Sequence, residues 1–584
     1  MTNSARAKVT ATPLFDSIRL AVFAAILGAI VAYAALAFLL LIEALTTLFF
    51  GHSDTSFYTM LDELPPWRVV LAPTVGGVLV GLFVWRWMPE RKNYGPADVM
   101  EAIQEHDGHV NLKTGLGSAL VSAVSIGAGA SLGRYGPAVY LGAAISSWLG
   151  RLLKLERGQR IALVGSGVAA AIAASFNAPL GGILFATEVM LGGRALRSFV
   201  PVTVAAVVGT AIARTHGNDF HISDLSVHTI VNLHEYVMFA ATGAAGGLLA
   251  VALMKSMSLS IRWVNNTGLP VWIRPMIGGL LLGLIGTQFP HVLGLGDEVI
   301  WDSYAGAFPV ALLLGLLALK LIATSLSIGF GFSGGVFGPS LFVGAMFGSA
   351  VGLVLFALLP DFASAPAIYA LVGMGAVVSC VIGAPVATIL IAFELTSSYP
   401  LATAVMISVV CAHLVSRRVF AHSHFTNQLA ARGVDVEIRR EVQILRGMAV
   451  SNVLSAQYQA LNASTLIDEA IERCLREPDQ ELLVVDADGA LLGGVSVYSL
   501  ISAQKSGAGA GTVMDVAEMP DLVLQANTNL HQALLDLRDF VGVSIPVISD
   551  AQSRRVIGVI HENAVINAYN EAVDQARDEE RGLR

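Results

Sequence analysis

The chain has 584 residues, 55% hydrophobic and only 13% charged, with a formal net charge of −8 and a mean hydropathy of +0.68. A soluble chain of this size is about a quarter charged, so the shortage argues against a soluble globular protein and for many buried membrane segments. The acidic balance, with no long basic run, gives no sign of nucleic-acid binding. Cys380, Cys411 and Cys474 are far apart with no CxxC spacing, which suggests packing residues rather than a disulfide framework or a metal site.

From Leu20 to Ile42 there is no charged residue, a length that spans a bilayer of about 30 Å and exceeds a signal-peptide core. Arg6, Lys8 and Arg19 precede it and place the N-terminus (1–15) in the cytoplasm by the positive-inside rule. Further apolar stretches lie at 68–88, 114–152, 160–190 and 199–214. After a polar loop at 216–235 they resume at 236–256, 272–290, 308–329, 339–359 and 366–415. Several are broken by glycine and proline, as at Asn177-Ala178-Pro179 and Gly383-Ala384-Pro385. Broken helices are tolerated at membrane depth only where they are buried in protein or line a cavity.

The membrane region (16–430) also repeats itself. Residues 177–190 match 383–396 in Ala-Pro, Ile-Leu, Ala and Glu at an offset of 206, and Gly136-Pro137 with Gly142-Ala143 recurs as Gly338-Pro339 with Gly344-Ala345 at an offset of 202. Matched prolines and glutamates are not what hydrophobicity alone produces, so two duplicated halves (16–215 and 236–430) are expected. Broken helices at corresponding places in two halves point to a binding site between them. The stretch Ser131–Pro137 combines glycines, Arg134 and a helix-starting proline. Such a stretch can leave backbone N–H groups unpaired at a helix start, where they attract an anion.

Composition shifts after Arg417-Arg418. Beyond a linker (431–445) the spacing predicts two α/β modules, 446–507 and 508–570, then a charged tail, 571–584. The first has an amphipathic helix at 464–475, a strand at 481–486, a hairpin signal at Asp488-Gly489 and a return strand at 491–497. The second has a helix at 529–539 and strands at 543–549 and 555–560.

Four separated motifs resemble the CLC family of chloride channels and chloride/proton exchangers. Gly95-Pro96-Ala97-Asp98 resembles GSGIPE, and Gly133-Arg134-Tyr135-Gly136-Pro137 resembles GREGP. Gly334-Gly335-Val336-Phe337-Gly338-Pro339, preceded by Lys320 and Thr324, resembles GGIFAP. Ser423-His424-Phe425 resembles an S-x-Y segment. The tail modules are similar to a CBS pair. The resemblance implies an all-α polytopic membrane domain with inverted repeat halves and broken helices, followed by an α/β CBS-domain pair. It also implies a homodimer in the inner membrane with cytoplasmic CBS modules. Its partners would be membrane lipid and chloride or another small monovalent anion, passing Gly133, Arg134, Gly136, Gly335, Val336, Phe337, Gly338 and Gly95.

The departures carry the functional expectation. Tyr135 stands where the family has a gating glutamate, and a phenol of ordinary pKa about 10 stays neutral at working pH. Arg134 either attracts anions or anchors the loop by pairing with backbone carbonyls. Val189 stands where exchangers carry an inner proton glutamate, while Glu188 is matched by Glu394 and suggests a shared structural role. One alignment puts Tyr94, another Asn93, where the family has a serine touching the central ion, and Phe425 replaces the inner tyrosine. Both CBS endings lack the nucleotide-binding aspartate, leaving Ser496 and His561 as weak candidates. Adenine nucleotide is therefore not expected, and no other cofactor or metal is implied. No nucleophile–base cluster suggests an enzyme. The expectation is a passive chloride channel uncoupled from protons, either constitutively open or gated by Tyr135. The alternatives are a chloride or fluoride/proton antiporter and a membrane-anchored CBS sensor.

Overall fold

Proline and glycine decide where the apolar stretches become helices. The computed structural model describes residues 13–51, 57–192, 195–217, 230, 234–434, 440–456, 458–476, 481–508, 510–540 and 544–581. Residues 1–12 of the expected N-terminal segment, most of the polar loop, linker residues 435–439 and tail residues 582–584 lie outside the described residues. The chain divides into two units, Met1–Val436 and Glu437–Arg584.

The first half of the membrane unit comprises α1 (Pro13–Phe50), α2 (Phe57–Glu63), α3 (Pro66–Trp87), α4 (Pro96–Glu105), α5 (Leu112–Gly127), α6 (Tyr135–Leu152), α7 (Arg157–Phe176), α8 (Pro179–Phe185) and α9 (Ala195–Thr215). The second comprises α10 (Glu235–Asn266), α11 (Arg274–Gly286), α12 (Asp297–Tyr304), α13 (Val310–Gly329), α14 (Phe337–Leu358), α15 (Pro366–Ile382), α16 (Pro385–Thr396), α17 (Tyr399–Val419) and α18 (His424–Ala430). Among the described residues, eight helices are long and apolar enough to cross a membrane. The long stretches read from sequence are subdivided. Residues 114–152 become α5 and α6, split at a turn containing Gly129 with φ of 94°. Residues 366–415 become α15, α16 and the start of α17.

Equivalent breaks recur in both halves. Asn177 after α7 has φ of 55° and Gly383 after α15 has φ of 79°, a left-handed conformation that asparagine and glycine adopt at least cost. Ala-Pro follows each, and proline at the first turn starts α8 and α16. Their exposed N–H groups need acceptors. Glu394 of α16 accepts from Leu180 at 2.9 Å and Gly181 at 2.8 Å. Glu188, in the π turn Ala186–Leu191 after α8, accepts from Val386 at 3.2 Å and Ala387 at 2.9 Å. Each half caps the other's broken helix, which is the shared structural role expected of this glutamate pair.

A second reciprocal set lies deeper. Ser131 N–H donates to Ser327 Oγ and Ser333 N–H donates to Ser125 Oγ, both at 3.1 Å. Ser131 Oγ and Thr324 Oγ1 are 3.2 Å apart, and Ser333 Oγ and Ser122 Oγ are 2.9 Å apart. Ser131, Ser125 and Ser122 map onto Ser333, Ser327 and Thr324 at the repeat offset of 202, so the bonds obey a local two-fold relation between the halves. All six residues are buried, where an unmet polar group costs about 1–3 kcal/mol.

The second unit contains α19 (Arg440–Arg446) followed by two like modules. The first is β1 (Tyr458–Asn462), α20 (Ile467–Arg476), β2 (Glu481–Val485), β3 (Leu491–Val495) and α21 (Val497–Ala503). The second is β4 (Leu524–Gln525), α22 (Leu530–Asp536), β5 (Ser544–Ile548), β6 (Val556–His561) and α23 (Glu562–Arg581). In each, the first strand pairs parallel and the third antiparallel with the middle one. Leu483 and Leu491 of one sheet pack with Ile548 and Val559 of the other. The opening strands β1 and β4 escaped the sequence reading, because β4 is only two residues long and β1, Tyr458-Gln459-Ala460-Leu461-Asn462, has neither an apolar run nor a polar–apolar alternation.

Candidate functional site

α6 and α14 begin beside one another because their preceding loops are tied together. Gly133 N–H donates to the Gly335 carbonyl and Gly335 N–H to the Gly133 carbonyl, both at 2.7 Å. A Cβ on Gly133 would lie 2.7 Å from the Gly338 nitrogen, and one on Gly335 would lie 2.8 Å from the Gly136 nitrogen. Only glycine permits this approach. The amides of Gly133 and Gly335 therefore serve each other rather than facing an ion. The N–H groups of Arg134, Tyr135, Gly136, Val336, Phe337 and Gly338 have no hydrogen-bond partner among the described residues. They sit ahead of the first intrahelical bonds, Ala138 to Arg134 and Ser340 to Val336. Two helix starts thus bring partial positive charge to one crossing without a formal charge in the backbone.

Three rings fill this crossing. Tyr135 is 2% exposed and stacks on Phe176 with centroids 4.0 Å apart and planes 15° apart. Phe337 lies 5.1 Å from Tyr135 and 4.8 Å from Phe176. The Tyr135 hydroxyl is buried with no hydrogen bond of regular geometry among the described residues, and the Arg134 guanidinium is close enough to interact with it. The Arg134 guanidinium lies 5.3 Å from the Tyr135 ring centroid, within cation–π range. Its Nη2 is 3.7 Å from Asp297 Oδ2 in the first turn of α12. Arg134 thus meets a carboxylate supplied by the opposite half.

The other sequence candidates have separate occupations. Asn93 Nδ2 donates to Gly331 at 2.9 Å and Phe332 at 3.2 Å, and the Tyr94 hydroxyl donates to the Pro89 carbonyl at 3.2 Å. In both alternative alignments the side-chain donor is thus engaged by backbone carbonyls. Gly95 N–H donates to Asp98 at 2.8 Å, although Pro96 lies against Gly136 and brings the start of α4 to the crossing. Val189 is buried in the apolar core of the π turn. Phe425 shares that core with Tyr135 and Phe337 but makes no ring contact with either among the described residues. Ser496 caps α21, accepting from Ser499 N–H at 3.0 Å, and His561 ends β6, paired with Ser544.

Sequence reasoning missed Phe176 and Asp297. Phe176 precedes the Asn177-Ala178-Pro179 break, and its repeat equivalent is Ile382, an asymmetry that marks the position. Asp297 follows Gly294-Leu295-Gly296, and an acid amid apolar segments signals function or pairing.

Residues 76–417 match the family model for voltage-gated chloride channels. The voltage-gated ClC-type chloride channel ClcB of Salmonella dublin is 33% identical over 419 residues, covering 70% of this chain and 98% of that protein. The crystal structure of a eukaryotic CLC transporter superposes with a TM-score of 0.63 at 20% identity, over 94% of this chain and 98% of that one. That of a slow cyanobacterial Cl−/H+ antiporter gives a TM-score of 0.61 at 22% identity, over 71% of this chain and 98% of that one. The chain is a multi-pass membrane protein and belongs to the voltage-gated chloride channel (CLC) family.

Proposed function

We propose that the protein is a tyrosine-gated CLC channel that conducts chloride, or another small monovalent anion, passively and without proton coupling. The observation that carries this reading is Tyr135, buried at the start of α6 between Phe176 and Phe337, where proton exchange would need a carboxylate. A neutral phenol neither imitates an anion nor loads protons near pH 7, and Val189 cannot relay them from the other side. The unpartnered N–H groups of the two helix starts hold the anion weakly enough for release, and Tyr135 with Phe337 closes the path. Of the two sequence-level options, the ring packing favours a gated pore over a constitutively open one.

The wider assignment follows the family. The protein functions as a homodimer in the bacterial inner membrane with the N-terminus and C-terminal unit in the cytoplasm. The membrane domain spans 16–430, and 446–507 with 508–570 form a CBS pair that acts in assembly rather than nucleotide sensing, because Ser496 is occupied as a helix cap. A chloride or fluoride/proton antiporter is the second reading, favoured by the antiporter with which the fold superposes. Tyr135→Glu tests the gate. A carboxylate there makes liposomal chloride flux depend on pH near its ordinary pKa of about 4.3, rising as protonation removes the charge. Flux that gains no pH dependence would remove Tyr135 from the gate.

A further inference from the structure

We propose that Asp297 sets the anion affinity of the pore by holding the Arg134 charge away from the permeating ion. The inference rests on the reading that the anion path passes Tyr135. Arg134 immediately precedes the proposed gate, and its guanidinium lies over the Tyr135 ring. A free guanidinium there would be a full positive charge beside two helix starts, and it would retain an anion rather than pass it on. Asp297 contacts it at 3.7 Å from the opposite half, so the loop carrying Asp297 fixes both the position and the net charge of the pair.

That loop is strongly held. The buried Lys320 of α13 donates through Nζ to the carbonyls of Val292 at 3.1 Å and Gly294 at 3.2 Å, with Phe342 beneath it. Gly294 N–H donates to the Gly129 carbonyl at 3.1 Å, tying the loop to the turn before α6. A Cβ on Gly296 would sit 2.8 Å from Phe342 and 3.2 Å from Lys320 Nζ, so the residue before Asp297 packs directly against this anchor and leaves no room for a side chain. Other charges whose fields reach the pair are Glu43 on α1, at Arg134, and Lys320 on α13 and Glu298 on α12, at Asp297. Asp297 is thus a positioning and affinity-determining residue placed by a lysine-anchored loop.

The test is chloride flux through the reconstituted full chain as a function of chloride concentration. Asp297→Asn keeps the shape and removes the charge. The half-saturating chloride concentration is expected to fall about fivefold, with a lower maximal flux because release becomes slower. Asp297→Glu restores both values towards wild type, and Arg134→Gln with Asp297→Asn abolishes the fall. An unchanged half-saturation in Asp297→Asn, or a fall that persists in the double variant, would overturn the proposal. If Asp297→Asn does not fold, Arg134→Gln alone decides it. Its half-saturation should rise no more than about twofold, since Asp297 already offsets the charge, and a larger rise would show Arg134 holding the ion directly. Wild-type protein that passes no anion would instead count against the proposed function.

Discussion

Tyr135 owes its position to three weak contacts rather than one strong bond. Each aromatic pair contributes about 0.5–1.5 kcal/mol beyond burial, and the guanidinium adds about 0.5–2 kcal/mol. Removing the stacked partner by Phe176→Ala should therefore loosen the proposed gate by about 1 kcal/mol and raise chloride flux roughly fivefold, measured as initial efflux from liposomes. The same substitution in a Tyr135→Ala background should have no further effect, because the ring it supports is gone. Tyr135→Phe should conduct within about twofold of wild type, because the ring and not the hydroxyl makes the contacts with Phe176 and Phe337. A large change would mean that the hydroxyl, not the ring, closes the path. At this scale the sequence was legible where a motif marked a residue, as for Tyr135 and Arg134. It was silent where a partner arrives from a distant element. Phe176 precedes a helix break and Asp297 opens a short helix, and neither spacing says what the side chain will touch.

Among the elements, the broken helices were legible because proline and left-handed residues act locally, while the purpose of the breaks was not. The glutamates that cap them cross from one half to the other, a relation visible in sequence only as the matched offset of Glu188 and Glu394. A carboxylate accepting backbone N–H bonds contributes roughly 1–2 kcal/mol more than a neutral amide would. Glu188→Gln and Glu394→Gln should each lower the thermal unfolding midpoint in detergent, by similar amounts because the two sites are equivalent. A large loss at one and none at the other would break the two-fold account. The glycine bridge fails differently. Gly133→Ala forces a Cβ to within 2.7 Å of the Gly338 nitrogen, which separates the helix starts at a cost of about 1–3 kcal/mol. It should reduce chloride flux more than it reduces stability. In the C-terminal unit, Asp550 is pulled down to about 2 by the Ser553 backbone N–H, the Ser553 hydroxyl and the Gln552 N–H. A depressed carboxylate stabilises the folded form above its unfolded pKa of about 3.9, and that contribution is lost as pH falls from there towards 2.

The molecule as a whole joins two related halves at one crossing and follows them with two related modules. The membrane fold and the duplication were legible from hydropathy and offsets, because both are patterns repeated over many residues. The two tail modules were legible for the same reason, apart from their short opening strands. On the proposed reading the C-terminal pair does not sense adenine nucleotide, so calorimetry of the full chain with millimolar ATP should give no saturable heat, and a saturable isotherm would reverse that assignment. The central claim concerns coupling, and simultaneous measurement of chloride and protons in liposomes under a chloride gradient tests it most directly. Uncoupled conduction predicts a reversal potential at the chloride Nernst value with no proton movement, and uphill proton transport driven by the chloride gradient would contradict it.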